Sequence, residues 1–383
     1  MIKLIIIELK RLMKQPRWLV TCLFLFITLF VYADQYFRIY PNFNNKNESM
    51  YQTISSNTNR VIIDQQSQLE EAIANDDKIA IASLQESLAL NIAQHQQYLN
   101  LNMALINNDW QTANQILITL GNNDMTQIMI RTKLIEASID TIHTSPISVG
   151  SVYGFFSYLI NTNLWLLIII FSIIIGYDVI NEELKNKTLS ISFLQPYRIT
   201  ISILSKIIAR TFLAITLISF TFIFFFLYLK LFHECGWLDH PVVYSPLSLF
   251  DRDASFTTTM LMSLKTLFGI ITIHSFVNIS LVISFCALIN CFIKKPFISL
   301  IVLITLTYFI YQGIINKQVP PYFVYNPYYY LFLSVHNFLT NEHTSLFYYY
   351  RNARLSYGLI TMSISTFINY AITSQIWKRK ELR

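Results

Sequence analysis

Side chains that could act on another molecule are concentrated in one polar stretch, residues 178–206, with the sequence DVINEELKNKTLSISFLQPYRITISILSK. The runs before and after it, LWLLIIIFSIIIGY and TFLAITLISFTFIFFFLYL, are each apolar and long enough, or nearly so, to cross a bilayer. A polar segment between two such runs is expected to lie at a membrane surface. Its charged residues could pair with a second protein, although exposed pairs contribute only about 0–1 kcal/mol each.

No catalytic motif accompanies this stretch. The sequence contains no G-x-x-x-x-G-K-[ST] phosphate loop, no H-E-x-x-H metalloprotease signature and no G-x-S-x-G nucleophile elbow. Charged residues are also missing from the centres of the apolar runs, where ion-coupled carriers place their coupling groups. We therefore predict that the chain is not an enzyme and does not energise transport by itself.

A second group of versatile side chains lies between two apolar runs and consists of His233, Glu234, Cys235, Asp239 and His240. Side chains of these types bind zinc. Their spacing matches no familiar zinc site, so the sequence favours a solvated loop without a metal.

Hydrogen-bonding side chains also interrupt two of the apolar runs. They are His274, Asn278 and Asn290 in one run and Ser363, Thr366, Asn369 and Thr373 in another. Hydrogen bonds between membrane helices are the first interpretation of such residues. The second interpretation is a substrate path lined by His274, Asn278, Ser363, Thr366 and Asn369.

The composition is that of an integral membrane protein. Of the 383 residues, 54% are hydrophobic and 13% are charged, whereas soluble domains contain roughly 25% charged residues. The four cysteines are too few and too scattered for a disulfide framework. We predict an all-α membrane protein.

Six apolar runs are predicted to be transmembrane helices, namely residues 18–33, 152–177, 207–231, 266–293, 296–315 and 355–377. Residues 1–17 place apolar side chains at helical spacing opposite Lys3, Lys10 and Lys14, which predicts an amphipathic helix in the headgroup layer that bends at Pro16. No A-x-A cleavage site follows Val31, so a secretory signal peptide is the less favoured interpretation.

The long polar segment 34–151 is predicted to form a compact domain of two to four helices, with Asp109 as an N-cap and residues 121–124 as a turn. Between residues 34 and 150 there are six basic and twelve acidic residues, a net charge of −6, which leaves +12 for the rest of the chain. Basic residues accumulate on the cytoplasmic side. The domain and the 232–265 loop should therefore face outward, and both termini, including the 378–383 tail, should face the cytoplasm.

The segment 316–354 is dense in Tyr and Phe and is broken by Pro320, Pro321 and Pro327. Such residues favour the membrane interface, where an aromatic ring and its hydroxyl are both satisfied. We expect re-entrant or interfacial helices here, and an aromatic belt without a transport role remains the alternative.

The polar stretch resembles the segment between the second and third spans of ABC type-2 exporter permeases, which carry Glu-x-x-x-Gly-Thr-Leu followed by Pro-x-Arg and Lys. The matching residues are Glu183, Thr188, Leu189, Pro196, Arg198 and Lys206, and Lys187 stands where Gly is common. The order of the elements along the whole chain is similar as well.

The resemblance implies a bacterial plasma-membrane permease that forms a dimer in the lipid bilayer and works with cytoplasmic ATPase subunits. ATP and Mg²⁺ would bind the ATPase, and neither a cofactor nor a nucleic acid is expected on this chain. The residues implied to contact the ATPase are Glu182, Glu183, Leu184, Lys187, Thr188, Leu189, Pro196 and Arg198. Relatives export amphipathic peptides, bacteriocins or drugs, among other cargos. A membrane sensor or immunity protein, whose outer domain binds a ligand or toxin, is the alternative function.

Overall fold

The computed structural model describes residues 1–40, 47–107, 109–121, 125–137, 147, 150–162, 164–181, 199–244, 260–315 and 355–381. Within these ranges the chain forms twelve α-helices and two short strands. The helices are α1 Ile2–Met13, α2 Arg17–Ile39, α3 Asn47–Ala74, α4 Lys78–Ile106, α5 Trp110–Thr119, α6 Met125–Glu136, α7 Val152–Asn161, α8 Leu164–Gly176, α9 Ile199–Phe232, α10 Leu264–Phe292, α11 Pro296–Ile315 and α12 Leu355–Glu381. The strands are β1 Pro241–Tyr244 and β2 Met260–Ser263, a small departure from the all-α prediction.

The helices belong to two compact units. The first unit contains Met1–Tyr36, Phe156–His233 and Tyr244–Arg383, and the second contains Phe37–Phe155 and Glu234–Val243. All the apolar runs predicted to cross the membrane lie wholly or mostly in the first unit, and the polar helices α3–α6 lie in the second.

Three helices in the described part of the chain, α2, α9 and α10, are long and apolar enough to cross a membrane. The pair α7 and α8 would make a fourth crossing if it forms one bent span, and α11 is a shorter apolar helix. Helix α12 occupies the last predicted run. The predicted number of six crossings therefore stays a prediction.

The second apolar run is not one continuous helix. Helices α7 and α8 are bent by 78° at a break next to Thr162, whose hydroxyl donates to the carbonyl oxygen of Tyr158 at 3.1 Å. Thr and Asn side chains compete with the backbone for helical hydrogen bonds, and the run contains the sequence Asn161-Thr162-Asn163 at this point. The polar residues Asn161 and Thr162 thus coincide with the end of α7.

The third apolar run begins earlier than predicted. Helix α9 is continuous from Ile199 to Phe232, so residues 199–206, which the sequence placed in the surface segment, form the first turns of the long helix. Lys206 is buried on this extension. The first span also continues past residue 33, because α2 ends at Ile39.

The core of the first unit lies where α8, α10, α11 and α12 meet. It is built from Ile169, Ile173, Leu281, Val282, Cys286, Leu303 and Met362. A Cβ atom on Gly176 would approach Cys286 Cβ to 3.3 Å and Ile283 Cδ1 to 2.7 Å. Glycine at this position therefore lets the end of α8 lie close to α10.

The second unit is organised around the helical hairpin of α3 and α4. Asp76 adopts a left-handed conformation with φ of 52°, and the N–H groups of Asp76 and Asp77 donate to the carbonyls of Ile73 and Ala72. This pattern is the Schellman helix ending. Asp77 then caps α4 by accepting from the N–H of Ala80 at 3.1 Å, so one short turn ends one helix and starts the next.

Helices α4 and α5 enclose the core of the second unit, which consists of Leu101, Ala104, Ala113 and Leu117. The predicted N-cap of α5 is confirmed, because the Asp109 carboxylate accepts from both the N–H and the hydroxyl of Thr112. These hydrogen bonds hold the pKa of Asp109 below its ordinary value.

Candidate functional site

The first residue of the polar stretch belongs to a group of charged side chains and a tryptophan, which we call the Asp178 cluster: Arg17, Trp18, Asp178 and Arg210. The Asp178 carboxylate pairs with Arg17 at the start of α2 and with Arg210 of α9, the latter at 3.3 Å. The side chain of Arg210 is 1% exposed and that of Asp178 is 7% exposed, whereas Arg17 is 33% exposed. One carboxylate thus holds two helices next to the end of α8.

Trp18 connects the same cluster to the N-terminal helix. Its ring centroid lies 4.3 Å from Cζ of Arg17 and 5.0 Å from Cζ of Arg210, both within the range of cation–π attraction. Its indole N–H donates to the carbonyl oxygen of Leu12 at 2.7 Å. Because α1 ends at Met13 and α2 begins at Arg17, this bond braces the bend predicted at Pro16.

Helix α1 presents different faces to different neighbours. Glu8 and Leu12 are buried, and α1 packs against α9. Ile2, Ile6 and Met13 are exposed, as are Lys3, Lys10 and Lys14 around the same surface. An exposed apolar strip beside a lysine strip is the pattern of a helix lying in the headgroup layer.

A second polar group, the Asn181 cluster, consists of Asn181, Asn290, Ile293 and Ser299. The side-chain amide of Asn181 donates to Asn290 Oδ1 at 3.0 Å and to the carbonyl oxygen of Ile293 at 2.7 Å. The hydroxyl of Ser299 donates to the same Asn290 oxygen at 2.7 Å. Asn181 is thereby fastened to the end of α10 and the start of α11.

Together the two clusters anchor the beginning of the polar stretch to the ends of several helices. The residues implied to contact an ATPase, Glu182, Glu183, Leu184, Lys187, Thr188, Leu189, Pro196 and Arg198, lie outside the described residues. Their helical conformation and their contacts therefore stay predictions. The structure instead describes both flanks of the segment, at Asn181 and at the start of α9.

The polar residues of the bundle divide into satisfied and unsatisfied groups. Asn369 donates to the hydroxyl of Ser284 on α10 at 3.0 Å, a buried bond between helices. Ser363 and Thr366 donate to carbonyl oxygens of their own helix, Leu359 at 2.7 Å and Met362 at 2.8 Å. For these residues the interpretation as structural hydrogen bonds fits the geometry.

His274 behaves differently. It is fully buried on α10, its ring contacts Trp165 of α8, and Asn278, one turn further along, is fully buried too. The structure thus places His274 between α8 and α10, and the substrate path lined by the five residues stays a prediction.

The loop that follows α9 is described at residues 233–244 and 260–263. The described residues contain no group of three or more His, Cys, Asp or Glu side chains that could hold a metal ion. His240 is buried with Nδ1 3.0 Å from the carbonyl oxygen of Pro241, and burial lowers the pKa of His233. The carbonyl oxygens of Glu234 and Cys235 accept from the first N–H groups of α7, so this loop caps a helix.

Sequence reasoning missed the partners within both clusters. Asp178 and Arg210 were visible as charges at the borders of apolar runs, but Arg17 belonged to the basic N-terminal segment and Asn181 to the polar stretch. The sequence did contain one signal for the first cluster: Asp178 follows the end of one predicted span, and Arg17 and Arg210 lie at the starts of two others. Only the fold shows that these three groups meet.

The chain matches the family model described as ABC-2 family transporter protein over residues 2–370. Searches of curated proteins and of solved structures gave no match.

Proposed function

This chain belongs to the ABC-2 family of transporter proteins, and we propose that it is the permease subunit of an exporter driven by a separate ATPase. Membership of the family supports a membrane-embedded subunit that works with an ATPase component. The direction of transport, the transported molecule and the dimeric assembly are parts of the proposal.

The observation that carries the proposal is the double anchoring of the polar stretch. Asp178 binds α2 and α9, and Asn181 binds the end of α10, immediately before residues 182–198. Asn290 of α10 in turn accepts from Ser299 of α11. A force applied to residues 182–198 by a partner is therefore passed to α2, α9 and α10 by polar contacts, and to α11 through Asn290. Rigid-body rotation of packed helices is one established way in which a small local movement becomes a large one.

We further propose that residues 182–198 bind in a cleft of the ATPase, with Glu182, Glu183, Lys187 and Arg198 contributing ion pairs and the apolar residues Leu184 and Leu189 providing the anchors. ATP and Mg²⁺ bind the partner, and this chain hydrolyses nothing. The absence of a phosphate-loop motif from the sequence supports this division of labour.

In the proposed assembly, two six-span permeases pair in the bacterial plasma membrane, with both termini and residues 182–198 in the cytoplasm and the second unit outside. The charge distribution supports this orientation, since the outer segment carries −6 and the rest of the chain +12. An amphipathic peptide, a bacteriocin or a drug is the proposed cargo, because an acidic helical domain outside suits a cationic amphipathic molecule better than a small ion.

Co-purification tests the assignment. The tagged chain is captured from detergent-solubilised membranes, and an ATP-binding-cassette ATPase should be recovered with it. Inside-out vesicles should then accumulate a fluorescent cationic amphipathic peptide in an ATP-dependent manner. A Glu183→Lys variant should insert normally but lose most of this accumulation.

Glu86→Lys on α4 is the matched control, because it makes the same charge change on an exposed position of the second unit. Normal accumulation by a correctly inserted Glu183→Lys variant would contradict the coupling role. Repeated capture of the chain without any ATPase would instead favour the sensor or immunity function, in which the outer unit binds a ligand on its own.

A further inference from the structure

Trp165 and His274 form an unusual contact inside the helix bundle. Their ring centroids are 4.7 Å apart at an interplanar angle of 76°, an edge-on arrangement. Trp165 is 3% exposed and His274 is fully buried. The pair joins the second residue of α8 to the middle of α10.

Three polar atoms of this pair have no hydrogen-bond partner among the residues that the structure describes. They are Nε1 of Trp165 and both ring nitrogens of His274. An unsatisfied buried donor or acceptor lowers the stability of a folded protein, and the hydrocarbon core of a bilayer offers no water in compensation. The buried pair Ser284 and Asn369 between α10 and α12 is hydrogen-bonded, so the bundle can bury polar residues without this cost.

The pair lies next to the break between α7 and α8 and far from the two polar clusters. Sixteen residues separate His274 from Asn290 along α10, which at about 1.5 Å per residue corresponds to about 24 Å. The first N–H groups of a helix such as α8 also lack partners within the helix. Donors are thus concentrated where α8 begins.

We propose that Trp165 and His274 form a binding site for an amide group of the transported molecule, an inference that rests on the proposed transport function. The indole N–H can only donate, whereas a neutral imidazole donates through one nitrogen and accepts through the other. An amide offers a carbonyl oxygen to the indole and an N–H to the imidazole. A small cation would face the indole N–H and gain one acceptor, so this site selects against ions.

Because His274 is fully buried in this structure, a ligand reaches it only when α8 and α10 separate. Binding would then select the separated arrangement from the ensemble and stabilise it. This places the site in the moving part of the bundle, between a helix fastened at Asp178 and a helix fastened at Asn290.

The first test measures thermal unfolding of the purified permease in lipid nanodiscs. Trp165→Phe removes one N–H and keeps the ring, and His274→Leu removes both nitrogens at similar volume. Both variants should raise Tm, because each removes unsatisfied polar atoms. The matched control Asn369→Leu should lower Tm, because it removes the interhelical bond to Ser284, whose hydroxyl keeps only its bond to the carbonyl oxygen of Leu281.

The second test uses two probes with the same apolar chain. N-dodecanoylglycinamide carries two amides, and dodecyltrimethylammonium carries a cation and no amide. The amide probe should raise the Tm of the unmodified permease by mass action, and the Trp165→Phe/His274→Leu double variant should bind it about tenfold more weakly or worse, since a lost hydrogen bond in a buried site is of that order.

Two results would overturn the site. A lower Tm in both variants would mean that a buried water or another part of the chain already satisfies these atoms. The second result is a failure of the probe test. If the unmodified and double-variant permeases bind the amide probe equally, the amide is recognised at another site, and if the unmodified permease does not respond to the probe, the amide is not recognised. Neither test involves the ATPase, so a failure here is distinguishable from a failure of the co-purification experiment.

Discussion

Replacing the Asp178 carboxylate by an amide is the most informative perturbation of this protein. Asp178→Asn changes the charge with almost no change in volume, so it creates no cavity. The guanidinium groups of Arg17 and Arg210, both beside Trp18, then lose the carboxylate with which each of them pairs. The energetic cost of losing the carboxylate differs for the two arginines, because their side chains are exposed to different extents.

The expected loss of stability follows from that difference. Arg17 is one-third exposed and can turn toward water, but Arg210 is 1% exposed and cannot. Removing one partner from a buried ion pair costs about 3–5 kcal/mol, because the other charge stays buried and uncompensated. Arg210→Met should cost less, about 1–3 kcal/mol, since Asp178 keeps Arg17 as its partner.

Combining the two substitutions gives the sharpest result. In the Asp178→Asn/Arg210→Met double variant, the buried guanidinium of Arg210 is removed together with the carboxylate, so the loss should fall short of the sum by about 1–3 kcal/mol. Reversible unfolding by sodium dodecyl sulfate in mixed micelles, followed by tryptophan fluorescence, measures all three variants. Glu136→Gln is the control, because its pair with Lys133 is more than half exposed and should contribute about 0–1 kcal/mol.

An Asp178→Asn variant as stable as the unmodified protein would refute this reasoning. So would a larger loss for Arg210→Met than for Asp178→Asn, because it would mean that the arginine is stabilised by groups other than this carboxylate. Strict additivity in the double variant would show that Asp178 and Arg210 act independently.

Three further predictions concern other parts of the chain and use unfolding measurements. Asn181→Leu removes the amide that binds Asn290 and Ile293 and should cost about 1–3 kcal/mol; an unchanged unfolding midpoint would contradict the anchoring. Asp77→Ala removes the N-cap of α4, so the second unit should lose about 0.5–2 kcal/mol and helical circular dichroism should fall at a lower temperature. Gly236→Ala places a Cβ 2.4 Å from the Ser151 hydroxyl, at a residue with φ of 78°, and should lower the free energy of unfolding by at least about 1–2 kcal/mol. Gly121→Ala is the control, because its Cβ has open space around it and only the left-handed backbone is strained.

Local signals in the sequence predicted several elements correctly. The bend at Pro16 follows from the fixed backbone of proline and its missing N–H, and α1 and α2 meet there. Asp109 caps α5 because its short side chain allows the carboxylate to accept from the N–H of Thr112, three residues further along the chain. Helix α11 begins at Pro296, directly after Lys294 and Lys295, where an apolar run and a favoured first helical residue coincide.

Other features depended on longer-range interactions. The break after α7 was missed because the overall apolar character of the run dominates a prediction based on length. In the structure α7 ends at Asn161, followed by Thr162, whose hydroxyl donates to the backbone. The early start of α9 was missed because Lys206, four residues before Arg210, looks like a surface residue in the sequence. In the fold both are buried, the second of them next to Asp178.

By itself, the sequence determined that this chain is a helical membrane protein with a polar segment between two apolar runs, because composition and hydropathy act residue by residue. The tertiary structure alone decided what holds that segment. Arg17 and Asp178 are 161 positions apart and Asn181 and Asn290 are 109 positions apart, and no local pattern specifies which distant charge or amide will be the partner. Those partners are selected by the packing of helices, which buries polar groups and requires that each be paired.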